Sequence, residues 1–345
     1  MKKILVLSML FFGISVMAQP PVLTAPGVTE KAAAYYLPKT ALRFALKVEG
    51  RTFHPGKFCH YSEQYYHLVA NKVKETKYSV VNLGLTSIGV TDTTKLYNII
   101  LQGKSKGANI VLSPEGQFMA FNEEPQVVKL QPPFQPYPNP PLPDYMSYLP
   151  EYIQKAETDS AKVEETVRYL IKLQANIQRI KNGEAADSAF QEPLDKLQER
   201  SDVIDKLFFG TTTCDTTEQV IVFIPEREMN KEVIFRLNQQ TGKVSMAPDA
   251  VGTPYYLTVE NMHSTPKQQE ELPKDKKIGC VYVNVPCRIK ATIHHENTFM
   301  GAFDLYAAQF GFVDELSGSL FKNYVTHIKL NPVFGSVDRI RYDMK

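Results

Sequence analysis

"AAAYYLPKTALRFALKVEG" (residues 32–50) alternates Leu42, Phe44, Leu46 and Val48 with Arg43, Ala45 and Lys47. Successive side chains of an extended chain point to opposite faces, so this segment reads as a strand with one face turned to a core. The next segment, "TFHPGKFCHYSEQY" (residues 52–65), gathers Cys59, His54, His60, Glu63 and several aromatics. Pro55-Gly56 reads as a turn, and "CHYSEQYYHLV" as a short helix. "YSVVNLGLTSIGVTD" and "TTKLYNIILQG" read as strands. "NIVLSPEGQFMAF" reads as a hairpin turning at Pro114-Glu115-Gly116.

Beyond residue 130 the character changes. "QPPFQPYPNPPLPDY" (residues 131–145) holds seven prolines in fifteen residues, a density that forbids helix and central strand and favours an extended connector. Val163, Val167, Leu170, Gln174, Ile177 and Ile180 then recur at three- and four-residue steps. Phe190, Leu194, Leu197, Ile204 and Leu207 do so after "NGEAADS". Two amphipathic helices with a short connection predict an antiparallel helical hairpin. At ~1.5 Å per residue the first, over about thirty residues, reaches roughly 45 Å. Strand patterning resumes after Phe209-Gly210 with "EQVIVFIP", "KEVIFRLNQQTGKVSMA" and "CVYVNVPCRIKATIHH". The expected organisation is therefore a leader at 1–18, a β-rich unit at 19–130 and a Pro-rich linker at 131–149. A helical hairpin at 150–209 and a second β-rich unit at 210–345 complete it.

The opening "MKKILVLSMLFFGISVMAQPP" has the form of a secretory signal peptide. Lys2 and Lys3 precede an apolar run from Ile4 to Val16, and Val16-Met17-Ala18 supplies small residues for cleavage after Ala18. No cysteine follows that point closely, so no lipid attachment is expected. Removing 1–18 takes Lys+Arg from 39 to 37 against 37 Asp+Glu. A formally neutral chain without a basic run argues against nucleic-acid binding. Export also makes disulfides admissible for Cys59, Cys214, Cys280 and Cys287, in any of three pairings. None of the four forms a C-x-x-C pair, which argues against zinc and thioredoxin-like chemistry.

An internal echo changes how the Cys-His segment is read. "YYLPKTALRFALKVEGRTFHPGKFCHYSEQY" and "YVNVPCRIKATIHHENTFMGAFDLYAAQF" share a proline (Pro38, Pro286), Thr-Phe (Thr52-Phe53, Thr298-Phe299) and a glycine (Gly56, Gly301). Phe58, Tyr61, Gln64 and Tyr65 match Phe303, Tyr306, Gln309 and Phe310, and residues 78–92 match 324–338. A weaker echo links "TTKLYNIILQ…IVLSPEGQFMA" with "TTEQVIVFIP…FRLNQQTGKVSMA". The fold class expected is α+β, with two related β-rich units about a pseudo-twofold axis and the helical hairpin inserted. In the second copy Asp304, Leu305 and Ala308 replace Cys59, His60 and Glu63. The reactive residues therefore read as scaffold neighbours rather than ligands. Gln64 and Gln309 read as buried amides that cap backbone groups. His294 and His295, adjacent on a strand, face opposite ways, and Cys214 in "GTTTCDTTE" reads as strand entry. No catalytic, cofactor-binding or metal residue is assigned, and no cofactor is expected; no Walker loop, G-x-S-x-G, H-E-x-x-H or Rossmann fingerprint occurs.

The "YYLPKT" start, the helices ending "LDKLQERSDVIDKLFFGTTT" and the following "VIFRLNQQTGKV" resemble an exported Bacteroidota family catalogued only as domain of unknown function 4831. The resemblance spans nearly the whole mature chain and implies a cell-envelope protein with no activity to carry over. The expected function is a non-enzymatic binding or assembly component, periplasmic or at the outer membrane, whose partner is an envelope protein or a glycan. The alternative is an envelope hydrolase with carboxylates dispersed in sequence, marked by a pocket of two carboxyl groups about 5–10 Å apart walled by Tyr and Phe. Homo-oligomerisation through the helical hairpin is a third reading.

Overall fold

The computed structural model describes residues 33–99, 108–127, 134–136, 141–265 and 281–343. The leader, part of the Pro-rich segment (131–133 and 137–140), Cys280 and the charged segment before it lie outside the described residues. The architecture is β-rich, with antiparallel sheets and few helices.

The alternating segment forms β1 (Ala33–His54), and the two strands expected next are one, β2 (Glu75–Ile99). β1 pairs along nearly its whole length with β2 on one side and, from Leu42 to His54, with β5 (Thr211–Phe223) on the other, giving a sheet ordered β2-β1-β5. Its inward residues Leu42, Phe44, Leu46 and Val48 are all 1% exposed or less. They pack against a second sheet, ordered β10-β9-β8-β6-β7. That sheet comprises β6 (Met229–Leu237), β7 (Val244–Ser245), β8 (Thr253–Asn261), β9 (Val281–His295) and β10 (Thr298–Leu316). Phe235, Tyr255, Leu257, Ile289 and Ile293 meet the β1 row in one sandwich core.

A third sheet, ordered β12-β11-β4-β3, closes the other end. It holds β3 (Ile110–Leu112), β4 (Phe118–Phe121), β11 (Val325–Leu330) and β12 (Val337–Asp343). Phe118, Phe121, Ile328 and Leu330 bury Tyr35 and Leu37 of β1 and Val281 and Val283 of β9; Phe321 from α5 (Gly318–Asn323) completes the cluster.

The helical segment gives α2 (Glu151–Gln154), α3 (Asp159–Lys181) and α4 (Leu194–Phe209). Thr158 caps α3 by accepting the Ala161 N–H, which separates α2 from α3. With 23 residues α3 spans roughly 35 Å, shorter than the periodicity predicts. α3 and α4 pack through Leu170, Leu173, Ile177, Leu197 and Ile204, with Phe58 from the turn after β1. Leu173 takes the buried place expected of Gln174, which is exposed.

The residue-by-residue correspondence of the two ends does not survive in the backbone. Phe58, Tyr61, Gln64 and Tyr65 fall in the turn and short helix around α1 (Ser62–Tyr66), whereas Phe303, Tyr306, Gln309 and Phe310 lie along β10. Residues 78–92 lie within one strand, but 324–338 run strand, turn, strand. The two ends do share a long antiparallel pair, β1/β2 and β9/β10. In each pair the register shifts at a proline, Pro38 or Pro286, since proline has no N–H for the ladder. The weaker echo keeps its local form: β3–β4 and β6–β7 are both hairpins, placed in different sheets. Nor are 19–130 and 210–345 separate sheet units. β1 pairs with β5 and β4 with β11, because strands on both sides of the helical insert complete one another's apolar faces.

Candidate functional site

The outer face of β1 is set by the same alternation that builds the core. With Leu42 and Phe44 inward, Arg43 stands outward between Thr86 of β2 and Val222 of β5, its ladder partners. Toward its start, β1 holds the β3–β4 turn: the Tyr36 N–H donates to the Gly116 carbonyl at 2.9 Å. That turn is rigid by its own bonds. The Ser113 hydroxyl accepts from the Glu115 and Gln117 N–H groups and donates to the Glu115 carboxylate. Gly116 adopts φ 79°, a left-handed conformation open to glycine. Gln117, 7% exposed, donates its Nε2–H to Thr91 Oγ1 at 2.8 Å, tying the turn to β2.

The opposite wall is the turn at 331–336. Asn331 Oδ1 accepts from the Val333 and Phe334 N–H groups, and buried Asn284 of β9 donates Nδ2–H to the carbonyls of Pro38 and Phe334. β2 approaches this turn so closely that a Cβ on Gly89 would lie 2.2 Å from the Pro332 oxygen. Between these walls opens a cleft of about 820 Å³. Apolar Ile88, Val90, Met119 and Val222 line it together with the polar groups of Tyr36, Thr91, Ser113 and Gln117. It carries one cation, Arg43, and one carboxylate, Glu115; Arg43 Nη2 also lies 3.9 Å from Glu218 on β5. Five chain segments meet here, so sequence patterning, which sees one element at a time, did not find it.

A second cleft, of about 910 Å³, lies along α4. Asp195, Glu199 and Asp202, on one helical face by their spacing, share it with Tyr145, Tyr148 and Lys206. Lys206 Nζ stands 5.7 Å from the Tyr145 ring centre.

The Cys-His segment is dispersed. His54 Nε2 pairs with Thr213 Oγ1 at 3.0 Å, Cys59 is buried, and His60, Glu63 and His67 are exposed. Among the described residues no three His, Cys, Asp or Glu side chains converge as ion ligands. His295 stacks on Tyr255 at 4.5 Å while His294 meets Phe299 edge-on, so the two rings serve different contacts. Gln309 caps backbone groups as expected, accepting the Thr40 N–H and donating to the carbonyls of Thr40 and Pro225; Gln64 is exposed and does not.

Cys59, Cys214 and Cys287 are free thiols. Cys287 is fully buried and donates to Asn261 Oδ1 at 3.0 Å. Burial raises its pKa, but hydrogen bonds from the side chains and backbone of Ser264 and Thr265 outweigh that and hold it below the usual thiol value. No helix among the described residues is long and apolar enough to cross a membrane.

A family model described as "Domain of unknown function (DUF4831)" matches residues 31–338. No curated protein and no solved structure matches the chain.

Proposed function

Since the chain belongs to the family of domain of unknown function DUF4831, we propose its role from its geometry. It is an exported, non-enzymatic component of the cell envelope that binds a glycan or a segment of an envelope protein in the cleft between β2 and its two bounding turns. The cleft itself is the observation that carries this reading. Its volume of about 820 Å³ falls in the range of ligand sites, and its walls are fixed by strands and internally bonded turns. Hydroxyl, amide and phenol groups interleaved with aliphatic ones suit a ligand that offers hydroxyls or peptide groups together with an apolar face.

Capture from solubilised envelope fractions, read by mass spectrometry and glycan analysis, tests it. The wild-type protein is expected to retain one species that Arg43→Glu and Val222→Arg release. Both side chains lie on the outer face of β1 and β5, outside the sandwich core. Recovery of the wild type alone, or equal retention by both variants, would overturn the reading.

The second cleft favours the hydrolase alternative to the extent that carboxylates and tyrosines share it. Release of reducing ends from envelope glycans by the wild type, abolished by Glu199→Gln or Asp202→Asn, would replace binding with catalysis. Exposed Ile171 (62%) and Tyr152 (59%) on the helical segment support a homo-oligomer contact there. Light scattering of Ile171→Lys against wild type reads it directly, and an unchanged mass removes it.

A further inference from the structure

We propose that the loop at residues 67–74 is a membrane-surface contact that seats aliphatic side chains among the headgroups of an anionic bilayer. Its sequence is "HLVANKVK", with two lysines and no acid. Leu68, Val69 and Val73 are 58%, 73% and 67% exposed. Single exposed aliphatics are ordinary on a protein surface. Three within six residues, interleaved with cations, form a small apolar patch beside positive charge, which suits a surface that is apolar beneath and anionic at its face. Lys72 and Lys74 are exposed, and no carboxylate among the described residues pairs with either; the nearby Glu75 is taken by Lys77 at 3.0 Å.

The loop holds these side chains outward by construction. His67 ends α1 in the left-handed region at φ 57°, its N–H bonded to the Glu63 carbonyl. Ala70, 6% exposed, is the inward anchor. Its N–H donates to Ser62 Oγ at 3.0 Å, and that buried hydroxyl donates in turn to the Cys59 carbonyl at 2.9 Å. Asn71 Oδ1 accepts from the Val73 N–H, and at Glu75 the chain joins the β1 ladder opposite Phe53. Tethered at Ala70 and at β2, the loop presents Leu68, Val69 and Val73 to solvent. They stay ready for an apolar medium, and the two unpaired ammonium groups select one with negative headgroups.

Flotation of the purified protein with vesicles tests this, comparing phosphatidylcholine alone with phosphatidylcholine mixed with phosphatidylglycerol. The protein is expected to float with the mixed vesicles only, and to be released by salt. Leu68→Ser/Val69→Ser/Val73→Ser and Lys72→Glu/Lys74→Glu are each expected to lower vesicle affinity at least about tenfold. Thermal melts matching wild type show that both variants fold. Failure of the wild type to float, or flotation unchanged in both variants, overturns the proposal. So does loop-dependent capture of an envelope protein without lipid binding.

Discussion

Asp205 shows how a single residue's setting decides its chemistry. It lies on α4 and accepts a hydrogen bond from the Tyr66 hydroxyl at 2.9 Å. Burial raises its pKa above the ordinary 3.8, with the Tyr66 bond opposing. Burial likewise raises Tyr66, and the Asp205 charge adds to it. A carboxyl whose folded pKa is raised contributes stability that is full below its unfolded pKa and is lost as pH rises through the folded value. Asp205→Asn, which keeps an oxygen for Tyr66, is therefore expected to lose less stability than wild type between about pH 4 and 7. Urea melts at the two pH values check it, and a steeper loss in the variant contradicts it. The amides teach a complementary lesson. Gln309 and Gln64 sit in matching sequence surroundings, yet only Gln309 meets backbone groups, because the β10 irregularity carries it across to Thr40 of β1.

At the level of elements, the irregular points matter more than the regular ones. Between Ala307 and Phe312 the pairing of β10 with β9 slips, and Gly311 makes the slip possible: a Cβ there would lie 1.8 Å from the Val285 oxygen. Gly311→Ala must push β9 and β10 apart, so a loss of about 3 kcal/mol is expected by urea unfolding. A loss below about 0.5 kcal/mol would show that the slip tolerates a side chain. β1, α3, α4 and the β3–β4 hairpin were legible because each repeats a local period or carries turn chemistry. α3 is shorter than its periodicity implies because Thr158, an N-cap, stands inside a continuous apolar-polar pattern. The likeness drawn between α1 and β10 failed for a related reason. "FCHYSEQY" and "FDLYAAQF" share spacing, but Pro55-Gly56 ends one strand, whereas the other segment follows a hairpin and pairs onward along β9.

For the whole molecule, β1, β2 and β9 each run through both the sandwich core and the end core. Expressed alone, residues 210–345 would leave β5 without β1 and β11 without β4. That segment is expected to bind hydrophobic dye and to lack a cooperative melt; a sharp transition would show an independent unit. Alternation in β1, the proline-dense break, the helical periodicity and the turn glycines are local properties, readable from residue order alone. Which strand pairs with which, and therefore the cleft assembled from five segments and the rigid presentation of Leu68, Val69 and Val73, was decided only in the tertiary structure. The physical reason is that an amphipathic strand specifies which of its faces is apolar but not which distant face will cover it. That choice is made by the mutual fit of all the faces at once.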